Sequence, residues 1–575
     1  MALALARVVG SPGAVRILFR LFLVLLDLLL LPLRLVRRAL AAPRGAYLRV
    51  DVDGWVAEIA RPRAFWDRSP RRLSLHALRE VLALAGADAR VRGVVVVLER
   101  FSGGMATATS LREALGALRA AGKELVVYLP SGGGTRELFV ASAADRLVLG
   151  PATSVSALGF AVEAPYLKGA LDRAGVEAEV FARGRYKTAG ERLVAARMSD
   201  AEREQLSGVL DTAWEALIDA LASGRRVERA VAEGWVNEGP WPAAEAVARG
   251  LADAVLDEDE LARALAPALP DGAPMIDAAR YGARRRLRFR PLVRPRYLAV
   301  IEVHGPIASA RPLAWSSMAV DRAVCGAMKR ALDDPRARGV MVHIDSRGGS
   351  ALASERMLRQ LTRLAAKKPV VACMGDAAAS GGYLVAMGAG VIVAQPTTLT
   401  GSIGVIAARF VVGPLLDQLG VTTEVVKRGA RADLTSPARH LDEGERAAME
   451  RELDAVYGSF VDAVARGRGI TPEAVLPLAG GRVWSGRDAR AHGLVDALGG
   501  FDVALAELRR RVGPGAERLE PQVIPGGRGG SPLAALPRLM GGVAASGALA
   551  ELLALALATS GATGWLYCPT REMSD

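Results

Sequence analysis

Short apolar runs alternate with longer amphipathic stretches along most of this chain. Gly339-Val-Met-Val-His-Ile344 has the composition of a buried strand, and Val91-Arg-Gly-Val-Val-Val-Val-Leu98 has the same character. In two places, at 111–128 and 355–373, a helical pattern leads directly into an apolar run. This alternation of strand and helix predicts an α/β fold with a mostly parallel sheet.

The pattern occurs twice, at an offset of about 245 positions. Tyr47-Leu-Arg-Val-Asp-Val matches Tyr297-Leu-Ala-Val-Ile-Glu, and Ala248-Arg-Gly-Leu-Ala-Asp-Ala matches Ala491-His-Gly-Leu-Val-Asp-Ala. One long repeat indicates a duplicated domain rather than a solenoid. The predicted divisions are an N-terminal region (1–44), a first α/β domain (45–275), a basic linker (276–296), a second α/β domain (297–515) and a C-terminal extension (516–575).

Both ends of the chain carry apolar stretches. Residues 17–33 are about long enough to cross a bilayer if their flanks snorkel, although Asp27 is costly in mid-span. No convincing cleavage site follows, so an uncleaved membrane anchor is expected, with an in-plane amphipathic helix as the alternative. Arginines on both sides leave its orientation unspecified. The apolar residues 543–566 predict a docked helix, with a second membrane segment as the alternative.

Charge and cysteine content exclude several classes of protein. The net charge is +13, but many of the arginines lie between Arg280 and Arg296, which favours a solvated or membrane-facing stretch and no nucleic-acid site. The three cysteines, Cys325, Cys373 and Cys568, form no disulfide or zinc pattern. The five histidines are scattered, and neither a metal nor another cofactor is expected.

One serine has the surroundings of a nucleophile. Ser380 lies in Met374-Gly-Asp-Ala-Ala-Ala-Ser-Gly-Gly-Tyr383, between small residues that let another backbone approach closely. The glycine loop Asp345-Ser-Arg-Gly-Gly-Ser350 precedes it, and Ser402 follows 22 residues later. This layout is typical of a nucleophile with an oxyanion hole. Taken alone, the motif is also common in chains rich in alanine and glycine.

The two copies differ at the positions that matter for chemistry. Ser380 is aligned with Thr135 and Ser402 with Ala157, so the first copy lacks both serines. Lys187 is aligned with Ala432, so the second copy lacks the lysine. The halves are therefore complementary, and together they predict a serine nucleophile with a lysine base.

A lysine can take the serine's proton only when it is neutral. Its reference pKa of about 10.4 must fall to roughly 7–8, which burial at a domain interface can achieve. Ser402 is expected to hold the amine in place. The amides of Gly349 and Gly381 are the candidates for the oxyanion hole.

Other interpretations of these residues stay open on the sequence. Lys187 lies among Arg183, Arg185 and Arg192, as a surface cation would, and Ser402 has the setting of a turn serine. A Ser-His-Asp triad built on His304 or His343 is the rival arrangement.

Five motifs together resemble those of signal peptide peptidases of the protease IV type, in their long tandem-repeat form, within the Clp/crotonase superfamily. The resemblance runs from about Tyr47 to Val512. Arg347 stands where that family usually has proline. The motifs are Gly184-Arg-Tyr-Lys-Thr188, Asp345-Ser-Arg-Gly-Gly-Ser350, Asp376-Ala-Ala-Ala-Ser-Gly-Gly-Tyr383, Leu399-Thr-Gly-Ser-Ile-Gly404 and Gly481-Arg-Val-Trp-Ser-Gly-Arg-Asp-Ala489.

The resemblance implies two tandem crotonase-like domains and a Ser-Lys dyad, with Ser380 as nucleophile, Lys187 as general base and Ser402 as the partner of the lysine. It implies a homo-oligomer anchored in the bacterial inner membrane, with its catalytic domains in the periplasm and no metal or nucleotide. It also implies peptide substrates, namely signal peptides left in the membrane or similar unfolded segments.

The sequence therefore predicts a membrane-associated serine endopeptidase. Two hypotheses of other classes compete with it. One is an acyl-CoA enzyme of the same fold, in which paired glycine amides hold a thioester enolate. The other is a catalytically inactive membrane scaffold. Lys187 and Ser380, each kept in only one copy, argue against both.

Overall fold

The structure is a computed structural model that describes residues 22–61, 74–286, 294–309 and 318–526, together with the backbone of Trp565–Tyr567. The part of the predicted anchor before residue 22 and nearly all of the apolar run 543–566 lie outside these residues. Within them, the protein has a mixed α/β fold in two similar halves.

The first half contains ten strands and, besides the helical residues 22–29, eleven α-helices, counted within the described residues. Its strands are β1 (Ala46–Gly54), β2 (Val91–Phe101), β3 (Glu124–Leu129), β4 (Gly133–Gly134), β5 (Arg146–Leu149), β6 (Ser154–Ser156), β7 (Glu177–Arg183), β8 (Trp241–Pro242), β9 (Ala254–Val255) and β10 (Met275–Asp277). Its helices are α1 (Leu31–Ala39), α2 (Leu75–Gly86), α3 (Met105–Ala120), α4 (Thr135–Ala141), α5 (Lys168–Arg173), α6 (Glu191–Val194), α7 (Asp200–Arg225), α8 (Arg229–Asn237), α9 (Ala243–Ala248), α10 (Glu258–Leu265) and α11 (Ala278–Arg285).

The second half continues the numbering. Its strands are β11 (Tyr297–His304), β12 (Ile307–Ala308), β13 (Ala319–Val320), β14 (Ala337–Ser346), β15 (Gly348–Ser350), β16 (Val370–Ala379), β17 (Ile392–Ala394), β18 (Leu399–Gly401), β19 (Val405–Val411), β20 (Val483–Ser485), β21 (Ala497–Leu498), β22 (Glu520–Val523) and β23 (Trp565–Tyr567). Its helices are α12 (Asp321–Asp333), α13 (Ala351–Ala365), α14 (Gly381–Ala386), α15 (Gly413–Gln418), α16 (Glu443–Arg468), α17 (Pro472–Val475), α18 (Gly486–Ala491) and α19 (Phe501–Val512).

Each half is built on a parallel sheet, as the alternation of strand and helix predicts. The first sheet has the order β10-β1-β2-β3-β5-β9 and is parallel throughout. The second follows the path β20-β18-β16-β14-β11-β22, in which only β20 runs antiparallel to its neighbour. Valine-rich strands such as β2 and β14 are buried along almost their whole length, as expected when both faces of a parallel sheet are covered.

The duplication is visible in matching helices. Helices α7 and α16 each have 26 residues and begin at a capping side chain. Ser199 accepts a hydrogen bond from the amide of Glu202, and Asp442 accepts one from the amide of Glu445. Both glutamates are buried, so the two helices start in equivalent environments.

A third sheet joins the halves. Its order is β13-β12-β15-β23-β19-β7, so β7 of the first half forms an edge beside β19 of the second. The two strands pair antiparallel along their full length, from Val405 opposite Arg183 to Val411 opposite Glu177. Since β7 leads directly to Lys187, this pairing carries the lysine into the second half.

The N-terminal region is helical at residues 22–29 and in α1. Asp27 is buried and pairs with Arg34 at 2.6 Å, so the acidic residue of the apolar stretch is neutralised within the chain. Across the described residues, every helix is too short or too polar to traverse a bilayer. The membrane anchor thus stays a prediction.

The predicted linker overlaps two ordered elements. Strand β10 pairs with β1, and α11 packs against α2 with Tyr281 fully buried. Residues 287–293, at the centre of the arginine-rich stretch, lie outside the described residues.

Candidate active site

Ser380 occupies a sharp turn between a strand and a helix. It follows the last residue of β16 and precedes α14. Its φ of 55° and ψ of −116° lie outside the regions that residues with a side chain normally adopt. Its amide donates to the carbonyl of Gly401 at 2.8 Å, which ties the turn to β18. Strain of this kind persists where surrounding structure holds a functional side chain in place.

Lys187 reaches this turn from the first half. Its Nζ lies 2.9 Å from Ser380 Oγ, 3.0 Å from Ser402 Oγ and 3.1 Å from the Ser402 carbonyl oxygen. The lysine is only 3% exposed and both serines are fully buried. The structure thus brings together the three residues that the comparison of the two copies singles out.

Ser402 also has a positive φ, of 52°. Its amide donates to the carbonyl of Arg482 at 2.7 Å, so the backbone after Gly481 fixes the second serine. The same stretch holds the lysine loop, because the amide of Tyr186 donates to the carbonyl of Gly480 at 2.6 Å. One segment of the second half therefore supports both the lysine and its partner serine.

The approach of this segment explains the glycine at 481. A Cβ atom built there would lie 2.6 Å from the Lys187 nitrogen and 2.8 Å from its Cβ, and the φ of Gly481 is +80°. Any side chain would therefore push the lysine loop away from Ser380.

Gly349 and Gly381 lie next to each other at the same turn. A Cβ on Gly381 would be 3.4 Å from the Gly349 nitrogen and 2.4 Å from Ser354 Oγ. Gly349 has a φ of +147°, and a Cβ there would meet the Ile307 carbonyl oxygen at 2.2 Å. Both positions thus require glycine, and both amides border the space beside Ser380.

A strand from the C-terminal part of the chain lies beside this turn, in the gap between the edges of β15 and β19, which is called the cleft below. The backbone of β23 pairs antiparallel with β15, with Leu566 opposite Gly349, and its residue Trp565 is opposite Ile406 of β19. The cleft therefore accepts an extended backbone between two strand edges, which is the way peptides bind by strand addition. Residues 565–566 belong to the run for which the sequence predicts a docked helix, and they are in a strand instead.

The first copy's counterparts form no such cluster. Thr135 is buried and donates from its Oγ1 to the carbonyl of Gly159 at 3.0 Å, while Ala157 offers no hydroxyl. Ala432 of the second copy is exposed. The two copies of the site have diverged, and one of them keeps Ser380, Ser402 and Lys187 together.

Asp376 is a residue of the junction that sequence reasoning missed. It accepts hydrogen bonds from the amides of Gly104 and Thr107 and from Thr107 Oγ1, all at 2.8 Å. The second half thus caps α3 of the first through a residue that stands four positions before Ser380. The aspartate stands inside the serine motif, but its partners are far away in sequence.

Gln205 is the second residue that was missed. It is buried, and its Nε2 donates to the Tyr186 carbonyl at 3.1 Å and to Thr188 Oγ1 at 2.9 Å. Its Oε1 accepts from the amide of Val483 at 3.1 Å. A lone glutamine within a helix carries no sequence signal for such a bridge around Lys187.

Asp345, near the end of β14, carries a half-buried carboxyl group. Burial, with a further contribution from the Asp376 carboxylate, raises the pKa of Asp345 to about 7. Asp345 Oδ1 accepts from the amide of Ala377 at 3.1 Å, between the serine strand and the glycine loop. The protonation state of Asp345 therefore depends on the packing at the junction of the two halves.

The two histidines of the rival triad face each other. His304 Nε2 and His343 Nδ1 lie 2.7 Å apart. Burial lowers the pKa of His343 to about 3 and that of His304 to about 4. Among the described residues, the hydrogen bond found for Ser380 Oγ is the one with Lys187. The geometry favours the lysine over either histidine.

One group of side chains could offer metal ligands. His76, Glu80 and Glu520 have ligand atoms within 4.8 Å of one another. Glu80 is paired with Arg286 at 2.6 Å, and burial, together with the charge of Arg79, lowers the pKa of His76. Two neighbouring arginines oppose a further cation, and the group shares no residue with the Ser380 cluster. The sequence could not indicate it because Glu520 is remote along the chain.

Comparison with known proteins identifies the family. A model of peptidase family S49 matches residues 117–269 and again residues 362–513. The chloroplastic serine protease SPPA of Arabidopsis thaliana is 30% identical over 475 residues, which cover 81% of this chain and 69% of that protein. Protease 4 of Salmonella typhi is 30% identical over 492 residues, 81% of this chain and 78% of that protein.

Protease 4 of Haemophilus influenzae is 28% identical over 507 residues, covering 83% of this chain and 80% of that protein. These relatives match both halves of the chain. They support a peptidase in place of the acyl-CoA enzyme and the inactive scaffold. Since one family model matches both copies of the repeat, the chain belongs to peptidase family S49 and is a serine peptidase.

Proposed function

We propose that this peptidase is a membrane-associated endopeptidase that cuts leftover signal peptides or similar unfolded apolar segments by means of a Ser-Lys dyad. The observation that carries the proposal is the 2.9 Å separation of Lys187 Nζ and Ser380 Oγ, two side chains from different copies of the repeat. A nucleophile within hydrogen-bond reach of a base, which a third group orients, is the arrangement that covalent catalysis requires.

The dyad acts in two stages. Neutral Lys187 takes the proton of Ser380 as Oγ attacks the substrate carbonyl carbon, and the oxyanion that forms is stabilised by the amides of Gly349 and Gly381. The protonated lysine then gives its proton to the leaving amine as the peptide bond breaks. Water hydrolyses the acyl-enzyme by the same route, with Lys187 again as base, and Ser380 is restored.

The burial of Lys187 supports its role as a base. An amine removed from water favours its neutral form, which alone can accept a proton. Ser402 supports the geometry, because its Oγ and its carbonyl oxygen both lie within hydrogen-bond distance of Nζ. These two contacts direct the amine towards Ser380.

The cleft supports an extended peptide as substrate. Strands β15 and β19 form its two edges and already pair with the backbone of β23. A segment without stable structure can add its own backbone hydrogen bonds there, whereas a folded domain must first unfold. Leftover signal peptides, the substrate class implied by the resemblance, are apolar and lack a folded core.

The N-terminal region supports membrane association. Phe22, Leu25 and Leu29 are exposed in the helical residues 22–29, and Arg37 and Arg38 lie in the last turn of α1. Exposed apolar side chains followed by arginines suit the surface of a membrane with anionic lipids. The proposed location is the bacterial inner membrane, with the catalytic halves in the periplasm, and the proposed assembly is a homo-oligomer.

A fluorophosphonate probe tests the dyad. Purified full-length protein should be labelled at Ser380, and Ser380→Ala should abolish both the labelling and peptidase activity. Lys187→Ala should lower both steeply, whereas Thr135→Ala, the counterpart in the first copy, should leave both unchanged. Labelling at Ser380 that survives the loss of Lys187 would assign the base elsewhere, and no labelling of folded wild type would refute the proposed nucleophile.

A further inference from the structure

A buried amide group joins the lysine loop to the second half of the chain. Gln205 lies in the second turn of α7 and is 1% exposed. Its Nε2 donates to the carbonyl of Tyr186 and to Oγ1 of Thr188, the two residues that flank Lys187. Its Oε1 accepts from the amide of Val483 in β20. One side chain of the first half therefore ties both sides of the lysine to a strand of the second.

The strand that Gln205 contacts also fixes the partner of the lysine. The carbonyl of Arg482, the residue before Val483, accepts from the amide of Ser402 at 2.7 Å. The Oγ of Ser402 in turn lies 3.0 Å from Nζ of Lys187. The contact of Gln205 with Val483 thus connects the backbone beside the lysine with the backbone that carries its partner serine.

An apolar contact one turn further along α7 holds this helix at the strand of the nucleophile. Val209 is buried and packs with Val483 and with Ala379, the residue before Ser380. Positions i and i+4 of a helix share a face, so Gln205 and Val209 both face the second half. This face of α7 therefore contacts the strand of the nucleophile and the loop of the lysine together.

The second copy of the repeat lacks this bridge. Helix α16 is equivalent to α7 and has Ala448 in place of Gln205. In the first copy, Pro240 stands at the position of Val483, and a proline has no N–H to donate. The glutamine thus occurs only in the half with the lysine, and the N–H that it accepts from occurs only in the half with the serines.

A glutamine matches this position in its hydrogen-bonding groups. A primary amide supplies two N–H donors and a carbonyl acceptor, which suit the two acceptors beside Lys187 and the one donor of Val483. An ionised glutamate of the same length would only accept, and it would place an oxygen against the carbonyl of Tyr186. A methionine fills a similar volume and makes none of these hydrogen bonds. The local contacts therefore require an amide.

The neighbouring Glu204 makes a similar bridge on the exposed side of α7. It accepts from Oη of Tyr186 at 2.9 Å and from Nη1 of Arg482 at 2.7 Å. Its side chain is 45% exposed, so water competes for both contacts and weakens the ion pair. The buried bridge made by Gln205 is therefore the stronger constraint on the lysine loop.

We propose that Gln205 is a positioning residue of this peptidase. By holding Tyr186 and Thr188 against β20, it keeps Nζ of Lys187 within reach of Ser380 and away from water. Gln205 acts through the lysine, and it neither takes a proton nor forms a bond with the substrate. This inference rests on the Ser-Lys dyad proposed above and names a residue that sets its geometry.

Replacement of the amide tests this role in the full-length protein. Gln205→Met should lower kcat about tenfold or more and change KM by less than about twofold, because the base is displaced while the cleft stays in place. A displaced amine gains contact with water, which favours its charged form. The rise of kcat/KM with pH should therefore move to higher pH, by at least about half a pH unit. The end point of fluorophosphonate labelling at Ser380 counts the folded sites, so that kcat refers to folded enzyme.

Gln395→Met is the matched control. Gln395 is also 1% exposed and also joins the halves, since its Nε2 donates to Oγ of Ser110 and to a carboxylate oxygen of Glu113. Its replacement should lower Tm as Gln205→Met does, but leave kcat and the pH dependence unchanged. An equal loss of kcat in both variants, or an unchanged kcat and pH dependence in Gln205→Met, would overturn the proposal.

A double-mutant cycle assigns the effect to the lysine loop. Thr188→Val removes the hydroxyl that accepts from Gln205 and keeps a side chain of nearly the same shape. It should lower kcat about threefold to tenfold in the wild type and much less in Gln205→Met, where the hydrogen bond is already lost. Losses that add in full would show that Gln205 does not act through this loop, and would overturn the proposal.

The Lys187→Ala variant, assayed beside these proteins, separates this inference from the proposed function. Labelling at Ser380 that survives in Lys187→Ala would refute the dyad and the positioning role with it. Loss of labelling in Lys187→Ala, together with a wild-type kcat and pH dependence in Gln205→Met, would refute the positioning role alone and leave the dyad in place.

Discussion

The two halves share the same arrangement of strands and helices, but each keeps a different part of the set formed by Ser380, Ser402 and Lys187. The second half holds Ser380 and Ser402 where the first half has Thr135 and Ala157, and the first half holds Lys187 where the second has an alanine. Under the proposed mechanism, either half alone would be inert. On that mechanism, the chemistry depends on the junction and not on either domain by itself.

The glycine loops have diverged in the same way. In the second half, Gly349 borders the space beside Ser380, and a side chain there would collide with Ile307. In the first half, the equivalent Gly104 faces Asp376, and a Cβ there would lie 2.6 Å from the aspartate's carboxyl carbon. The same loop therefore serves a candidate oxyanion hole in one copy and a docking contact in the other.

The largest expected effect comes from removing the part that the first half supplies. Lys187→Ala should lower kcat by at least about 10³-fold, because Ser380 loses its base. Lys187→Arg should be nearly as inactive, since a guanidinium keeps the charge but does not deprotonate. Steady-state hydrolysis of a peptide substrate measures both. Substantial activity in Lys187→Arg would show that a neutral amine is not required.

A smaller loss should follow when Ser402 is changed to the residue of the other copy. Ser402→Ala removes one hydrogen bond to the lysine, worth about 1–3 kcal/mol, and should lower kcat about tenfold to hundredfold. Ser402→Thr keeps the hydroxyl and should recover part of the loss. If Ser402→Ala retained full activity across the pH range, the serine would be a turn residue and not the partner of the lysine.

A modest decrease in KM should follow when the pairing of β23 is weakened. This strand lies between β15 and β19, so its backbone N–H faces a neighbouring strand on either side. Leu566→Pro removes one N–H and should lower KM about twofold or more with kcat unchanged, the factor expected when the strand fills the cleft at least half of the time. Leu566→Ala keeps the N–H and is the control. Equal KM values in all three proteins would show that β23 does not compete with substrate.

The smallest expected effect is on stability. The raised pKa of Asp345, about 7 against 3.8 in the unfolded chain, means that the native state holds a proton there that the unfolded state has released. Stability should therefore fall as pH rises from about 4 to about 7. Asp345→Asn removes this loss and should raise Tm by about 2–4 °C at pH 8, with a smaller change at pH 5.

Asp376→Asn is the contrasting variant. Asp376 accepts three hydrogen bonds across the junction, and an asparagine accepts fewer. It should lower Tm at both pH values, as thermal unfolding followed by circular dichroism would reveal. A pH-independent gain in Asp345→Asn would contradict the shifted pKa of Asp345.

The sequence predicted the parts of the fold that are local. Valine-rich runs such as Val91–Leu98 and the repeated order of strand and helix are enough to indicate two parallel sheets. The site residues Ser380, Ser402 and Lys187 were found because the copies disagree at these positions, and the structure brings their side chains together. In a duplicated chain, one copy of the repeat can be compared with the other, position by position.

Long-range pairing could not be predicted in the same way. Nothing in the composition of β7 says that its partner is β19 and not a strand of its own half, since edge strands of similar composition compete for the same neighbour. Asp376 and Gln205 escaped notice because single polar residues acquire a role only when distant backbone groups reach them. The strand Trp565–Tyr567 likewise pairs with strands that are distant from it in the sequence.

The capping of α3 by Asp376 has a consequence for how the enzyme is made. The ribosome delivers Lys187 well before Ser380, and domains generally fold in the order of their synthesis. A partly made chain therefore carries Lys187 without Ser380. The proposed dyad is complete only after both halves have been made and the second half has docked on α3.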